Sequence, residues 1–145
     1  PVGLGKAKKV SPIVRAIAQA EKGTTGEIRV HISKSWVEKD AYAHAWRLFQ
    51  EFGMTKTAQK NAVLLYVNLR RRKFAVVGDQ GVHERVGQHY WEELAQHLHE
   101  DLLSTHFENA IAMAVITIGA TLRKYFPADL SQSNPNELPD TVSQD

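Results

Sequence analysis

A continuous apolar run in the middle of the chain, Ala62 to Val67, constrains the fold more than any other segment. Six apolar residues are too few for a separate helix, and a strand with one face in water would alternate apolar and polar residues. A run that is apolar at every position therefore predicts a strand covered on both faces. Because each face needs its own covering layer, the chain must supply helices to both sides of a sheet.

The neighbouring segments predict how this strand is paired. Residues Glu27 to Ser33 alternate apolar and polar side chains, which indicates another strand. A helical pattern between Trp36 and Phe52 separates the two strands, and such a connection favours a parallel pair with a right-handed crossover. Lys73 to Val77 follows at hairpin spacing, so a third strand is expected to be antiparallel to the central one.

Helical patterns complete one domain. Ser11-Pro12 is typical of a helix start, and two apolar stripes, from Val82 and from Phe107, predict the last two helices. The predicted fold class is α/β, with a small mixed β-sheet and α-helices on both faces. We assign residues 1–10 to a flexible N-terminus, 11–126 to the α/β domain and 127–145 to a disordered acidic tail. That tail holds three of the five prolines, four acidic residues and no basic one.

Composition and charge exclude several classes of function. The absence of cysteine excludes disulfides, thiolate nucleophiles and cysteine-containing zinc sites. The longest apolar runs fall far short of the roughly 20 residues of a membrane-spanning helix. The start of the chain lacks an apolar run of signal-peptide length, so we expect a cytoplasmic protein, membrane-associated only through a partner or an upstream segment. Because four of the 16 acidic residues lie in the tail, the rest has 18 basic and 12 acidic residues, a net charge of +6.

Three polar residues are expected to meet at one edge of the sheet. Glu27 and Asn61 lie at the starts of two strands that are predicted to be parallel. Asp79 follows the end of the third strand, which is predicted to be antiparallel, so it lies at the same edge as these two starts. Two carboxylates and an amide oxygen are hard ligands suited to Ca²⁺ or Mg²⁺. They also suit an acid phosphatase in which Asp79 is the nucleophile or general acid. The simplest reading is structural: a charged strand start, a turn asparagine and a helix cap.

The opposite edge carries the densest basic run, Arg70, Arg71, Arg72 and Lys73. Such a run can contact phosphate backbones, acidic lipid headgroups or an acidic protein, although it is more often a solvated hairpin turn. Four charges are fewer than the roughly five to eight of a nucleic-acid patch. No aromatic residue interleaves with the run, so stacking on single-stranded nucleic acid is not expected.

Other chemistry-bearing residues give weaker signals. Five of the seven histidines fall in or near the last two helices without the i, i+4 spacing of a metal site, so they are expected at the surface. Trp36, Trp46 and Trp91 are expected in the core or a groove. Nucleophile-elbow, phosphate-loop and dinucleotide glycine motifs are absent, so no organic cofactor is expected.

Three segments occur in order along the chain: Thr25 to Val30 (TGEIRV), Lys60 to Leu65 (KNAVLL) and Arg72 to Gly81 (RKFAVVGDQG). Together they resemble the TPM-domain family, which is named from thylakoid-lumen and membrane-associated members. The resemblance covers about Val10 to Phe126 and implies a Rossmann-like sandwich. It also implies acid phosphatase activity in some members, and calcium binding or an accessory role at membrane complexes in others. Short bacterial members tend to accompany a LemA-like membrane protein. The chain departs from the family at Gly78 to Gly81, where Gly-aromatic-Gly is common.

These observations predict a binding or accessory module rather than an enzyme. The expected ligand is Ca²⁺ or Mg²⁺ at Glu27, Asn61 and Asp79, and the expected partner is a LemA-like or other membrane-associated protein. One alternative is a metal-dependent acid phosphatase with Asp79 as its catalytic residue. Another is binding of an anionic surface or nucleic-acid phosphate through Arg70 to Lys73. We expect a monomer without specific nucleic-acid binding.

Overall fold

The computed structural model describes residues 11–129 and 142–145. Its helices and strands, in chain order, are α1 (Pro12–Ala20), β1 (Glu27–Ser33), α2 (Ala41–Glu51), a short 3-10 helix (Met54–Lys56), β2 (Ala62–Asn68), β3 (Lys73–Gly78), α3 (Gln80–Ser104), α4 (Phe107–Tyr125) and β4 (Val142–Gln144). The predicted succession of helix, strand, helix, two strands and two helices is confirmed, with β4 as an addition.

The four strands form one mixed sheet in the order β3-β2-β1-β4. β1 runs parallel to β2, and β3 runs antiparallel to it, as the connection lengths predict. Every residue of β2 is buried, which confirms the interpretation of the apolar run as a central strand. The fold is an α/β sandwich.

Alternate side chains of β2 enter two separate cores. Val63 and Leu65 pack on one face with residues of α1, α3 and α4, whereas Leu64 and Tyr66 pack on the other face with residues of α2. Full burial of a Val, Leu or Phe side chain stabilises a fold by about 1.5–3 kcal/mol. The sheet is therefore held from both sides, as the apolar run requires.

Side-chain caps set the starts of three helices. Ser11 Oγ accepts a hydrogen bond from the Ile13 N–H, and Asp40 Oδ1 accepts one from the Ala43 N–H. Asp79 Oδ1 accepts one from the Gln80 N–H at the start of α3. Each bond satisfies a backbone donor that the first helical turn leaves unpaired. The cap at Asp40 explains why α2 begins later than the apolar pattern from Trp36 onward would suggest.

The end of the chain differs from the predicted disordered tail. Residues 130–141 and the N-terminal residues 1–10 lie outside the described residues, but Val142–Gln144 form β4 beside β1. The Asp145 N–H donates to Ile32 O at 3.2 Å, which continues the pairing. A strand of only three residues can pair here because the free edge of β1 supplies backbone hydrogen-bond partners. Within the described part of the chain, no helix is long and apolar enough to cross a bilayer.

We expect Gly119→Ala to lower the free energy of unfolding by about 1–3 kcal/mol, the usual cost of overpacking. A Cβ atom at Gly119 would lie 2.7 Å from Ala20 Cα, so α1 and α4 would have to move apart. Urea denaturation checks this, with the exposed Thr117→Ala on the same helix as control, which should change the value by less than about 0.5 kcal/mol. Equal effects of the two substitutions would contradict the close packing.

Candidate functional site

The sheet brings the three predicted residues Glu27, Asn61 and Asp79 to one edge, and we call them the amino-end cluster. The Glu27 N–H donates to Asn61 O at 3.3 Å, and the Asp79 N–H donates to Ala62 O at 2.9 Å. The Gly81 N–H donates to Lys60 O at 2.8 Å. Backbone bonds on either side of Asn61 therefore tie the start of β2 to the start of α3, as the predicted strand directions require.

Gly81 makes this close approach possible. A Cβ atom at this position would lie 2.6 Å from Lys60 O and still closer to Gln59 O, both of which are backbone atoms. Backbone cannot move aside as a flexible side chain can, so any other residue would push α3 away from β2. The glycine that follows Asp79 in the sequence therefore positions the cluster.

The amino-end cluster is buried and partly hydrogen-bonded. Glu27 and Asn61 are each 1% exposed and Asp79 is 7% exposed. Asn61 Nδ2 donates to Thr25 Oγ1 at 3.0 Å, and Asp79 Oδ1 accepts from the Gln80 N–H at 2.8 Å. The structural roles predicted from the sequence are a turn residue for Asn61 and a helix cap for Asp79. These roles account for one polar atom of each side chain.

Two oxygens of the cluster have no such role. Asn61 Oδ1 and Asp79 Oδ2 are enclosed, and within residues 11–129 and 142–145 they have no hydrogen-bond partner. A buried acceptor without a donor costs about 1–3 kcal/mol, and more when it carries charge. Such groups are normally satisfied by an ordered water, an ion or a proton. Amide and carboxylate oxygens are ligands that Ca²⁺ and Mg²⁺ bind in proteins, so the chemistry of the cluster fits a hard cation.

The same enclosure limits catalysis. An open cavity of about 570 Å³ lies beside Asp79, between Tyr42 and Trp46 of α2 and Trp91 of α3. Trp91 Nε1 donates to His83 Nδ1 at 3.0 Å on the same wall. Asp79 itself lines this cavity, but its Oδ1 accepts the capping bond at the start of α3 and its Oδ2 is enclosed. Over residues 11–129 and 142–145, no three His, Cys, Asp or Glu side chains group as a metal centre. A cation at the cluster would need the Asn61 amide.

The predicted basic residues lie at the other end of β2. Asn68 Oδ1 accepts from the Arg70 and Arg71 N–H groups at 3.0 Å each, and Arg72 adopts a left-handed backbone with φ 54°. Seven residues of strand separate Asn61 from this turn, a distance of roughly 23 Å at about 3.3 Å per residue. The amino-end cluster and the basic turn are thus two separate sites.

The position of Trp36 corrects its predicted burial. Its side chain is 62% exposed, and the Arg70 guanidinium lies 5.0 Å from its ring centroid. Arg71 Nη1 donates to Trp36 O at 2.8 Å. Although no aromatic residue interleaves with the basic run in sequence, the fold therefore places one against it. The loop between β1 and α2 makes this contact, and local sequence carries no signal for it.

A buried histidine network was not predicted. His31 is 4% exposed, its Nδ1 lies 2.8 Å from Ser143 Oγ, and its Nε2 lies 3.0 Å from Asp145 Oδ2. His44 Nε2 lies 4.0 Å from the same carboxylate oxygen. Alternation in β1 placed His31 on a polar face, but α2 covers that face. The five histidines predicted at the surface, His83, His89, His97, His99 and His106, are exposed.

The pKa of Asp145 is shifted by this network. Burial alone would raise its pKa, but hydrogen bonds from Ser33 and His31 and the charges of His31 and His44 hold the pKa below its ordinary value of 3.8. A carboxylate with a lowered pKa stabilises the docked strand fully above the ordinary pKa. That stabilisation is lost as pH falls through the lowered pKa.

We therefore expect acid to release β4 before it disturbs the rest of the sheet. The hydrogen-exchange protection factor of the Asp145 N–H should fall as pH drops below 3.8, the ordinary pKa of its carboxyl. The Leu69 N–H, which donates to Ser33 O at 2.9 Å, should stay protected and serves as control. Asp145→Asn should lower protection of β4 at neutral pH and remove the acid transition. Equal loss at both amides would instead indicate global unfolding.

Three comparisons relate the chain to known proteins. A family model described as TPM domain matches residues 6–121. The NMR structure of BA42 protein from the psychrophilic bacterium Bizionia argentinensis is similar with TM-score 0.83 and 30% identity, over 98% of this chain and 100% of that one. The N-terminal domain of cg2496 protein from Corynebacterium glutamicum shares the fold with TM-score 0.63 and 12% identity, over 88% of this chain and 81% of that one. A search of curated proteins finds no match.

Proposed function

The chain belongs to the TPM-domain family, and from this premise we propose that it is a binding module whose ligand is a divalent cation at Glu27, Asn61 and Asp79. The observation that carries the proposal is the pair of enclosed oxygens, Asn61 Oδ1 and Asp79 Oδ2, to which no described residue donates a hydrogen bond. Amide and carboxylate oxygens are both ligands that Ca²⁺ and Mg²⁺ take in proteins. The Glu27 carboxylate, 1% exposed at the same edge, would add charge to the site.

Binding is favoured over catalysis by the state of the Asp79 carboxylate. A nucleophile or general acid must reach the scissile group within hydrogen-bond distance. Asp79 is instead a helix cap with its second oxygen enclosed. The competing metal-dependent acid phosphatase would need this carboxylate, which lines the cavity, to leave its cap or expose its enclosed oxygen. We therefore assign the cluster a ligand-holding role.

An accessory role follows from the same proposal. A module that binds a cation without turnover acts through its effect on a partner, and the resemblance to TPM proteins points to a membrane-associated one, such as a LemA-like protein. A bound ion that joins the starts of β1, β2 and α3 would stiffen this edge of the sheet. Ligand that binds only the folded state stabilises it by about 2.7 kcal/mol at 100 times its dissociation constant.

We expect Ca²⁺ to shift the backbone amide NMR signals of Gly26, Glu27, Asn61 and Gly78 to Gly81, and to raise the melting temperature. Asp79→Asn should weaken this binding at least tenfold, because it replaces a charged oxygen ligand with an amide. Asp40→Asn is the matched control, since Asp40 also caps a helix but lies at the start of α2. Its substitution should leave the affinity unchanged.

Two results would contradict the cation site. If Ca²⁺ and Mg²⁺ shift none of these signals, the enclosed oxygens are satisfied by water and the cluster is structural. If Asp79→Asn and Asp40→Asn weaken binding equally, the effect comes from general surface charge rather than from the cluster.

Turnover of p-nitrophenyl phosphate tests the phosphatase alternative on the same samples. We expect no turnover above background with Ca²⁺ or Mg²⁺ present, because the Asp79 carboxylate is capped and enclosed. Turnover that disappears in Asp79→Asn but persists in Asp40→Asn would show that Asp79 is catalytic and would replace the binding assignment.

A further inference from the structure

Three large apolar side chains are exposed around the basic turn. Val37 is 82% exposed, Leu103 is 77% exposed and Trp36 is 62% exposed. Trp36 and Val37 belong to the loop after β1, whereas Leu103 lies near the end of α3. We call these residues, together with the turn Arg70–Lys73, the carboxyl-end surface, because β1 and β2 both end there.

The apolar and basic parts of this surface are in direct contact. Arg71 Nη1 donates to Trp36 O at 2.8 Å, and the Arg70 guanidinium lies over the Trp36 ring. On the other side of the turn, Arg72 and Leu103 line one open cavity of about 420 Å³. Leu102, Phe74 and Phe107 continue the apolar lining of that cavity. The cations thus lie between two apolar regions.

One buried side chain fixes both loops. Asn68, which is 0% exposed, accepts from the N–H groups of Arg70 and Arg71 through Oδ1 and donates from Nδ2 to Ser35 O at 2.9 Å. Lys73 Nζ donates to Lys39 O at 2.7 Å and adds a second link. The surface is therefore held in place by the sheet, and it would lose little conformational freedom on binding.

The charge of the two loops is strongly positive. Lys34 and Lys39 flank the exposed loop and add to the four cations of the turn. The two acidic residues of that loop are already engaged. Glu38 is 6% exposed and accepts from the Tyr66 hydroxyl at 2.9 Å, and Asp40 caps α2. These hydrogen bonds leave both carboxylates charged, so the loop and the turn together have six basic and two acidic residues, a net charge of +4.

We propose that the carboxyl-end surface docks the protein on an anionic lipid bilayer, with Trp36, Val37 and Leu103 in the interfacial region and Arg70 to Lys73 at the headgroups. Tryptophan prefers the membrane–water interface, and basic side chains are attracted to anionic headgroups. Exposed apolar side chains beside cations suit a surface with an apolar interior. Nucleic-acid phosphates would use the cations and leave Val37 and Leu103 in water.

This docking is independent of the proposed cation site. The amino-end cluster lies at the other end of β2, so a bilayer contact at Trp36 leaves Glu27, Asn61 and Asp79 facing away from the membrane. Loss of vesicle binding can therefore be measured separately from loss of cation binding. If Ca²⁺ does not bind, vesicle binding in buffer with chelator is still expected. If vesicles are not bound, Ca²⁺ binding at the amino-end cluster is still expected.

The test is co-sedimentation of the full chain with phosphatidylcholine vesicles, with and without phosphatidylserine, in chelator and at two salt concentrations. We expect binding only with phosphatidylserine and weaker binding at high salt. The double substitution Arg70→Gln/Arg72→Gln should weaken binding to the phosphatidylserine vesicles roughly 25-fold, at about fivefold for each cation removed. Lys22→Gln/Lys56→Gln removes the same charge from exposed positions elsewhere and should change affinity less than about twofold.

The apolar contribution is tested separately. Val37→Ser/Leu103→Ser should weaken vesicle binding roughly tenfold, because two side chains lose their apolar contact with lipid. Met113→Ser, at an exposed apolar position on α4, is the control and should have no effect. Tryptophan emission should shift to shorter wavelength with anionic vesicles, and Trp36→Phe should abolish the shift at vesicle concentrations that sediment all of the variant.

Four outcomes would overturn the proposal. Equal sedimentation with neutral and anionic vesicles, or none with either, removes the electrostatic contact. Unchanged affinity in Val37→Ser/Leu103→Ser removes the apolar contact. Binding of duplex DNA that depends on Arg70 and Arg72, without vesicle binding, assigns the surface to nucleic acid instead.

Discussion

The burial of β2 on both faces is the constraint on which the rest of the structure depends. A strand of seven buried residues cannot lie at the edge of a sheet or face water on one side. Leu64 and Tyr66 need α2, while Val63 and Leu65 need α1, α3 and α4. The remaining elements are therefore arranged around one short segment, and the two cores that result hold β2 from opposite sides.

A central strand also decides which polar residues meet. β2 is bordered by β1 on one side and β3 on the other, so each of its ends gathers residues that are distant in sequence. At the start, Asn61 lies between Glu27 and Asp79, and the group is enclosed and acidic. At the end, Asn68 joins the β1–α2 loop to the basic turn, and the group is exposed and cationic. The same strand thus separates a buried acidic cluster from an exposed basic surface.

The sequence predicts those features of the fold that depend only on local residue pattern and on the order of the strands. The apolar run, the alternation of Glu27 to Ser33 and the hairpin spacing before Lys73 predicted the parallel and antiparallel pairs. They also predicted the shared edge of Glu27, Asn61 and Asp79, because strand direction alone determines it. The backbone bonds at Asn61 follow from the same geometry.

Contacts between distant segments could not be predicted in this way. β4 has only three residues, and its pairing with β1 depends on backbone groups and on Asp145 meeting His31, more than 100 residues earlier. Alternation in β1 puts His31 on the polar face of the strand, but alternation does not show that α2 covers that face. Trp36 resembles a core residue by type, yet none of the described helices or strands covers its loop, and the ring is exposed beside Arg70.

The most direct test of the central claim, that β2 separates a cation site from the basic surface, is paramagnetic broadening of amide NMR signals by Mn²⁺. Mn²⁺ prefers the same oxygen ligands as Ca²⁺ and Mg²⁺. We predict selective broadening at Glu27, Asn61 and Asp79, with the signals of Asn68 to Lys73 left sharp. Broadening centred on His31 and Asp145, or spread evenly over the acidic surface, would contradict the account.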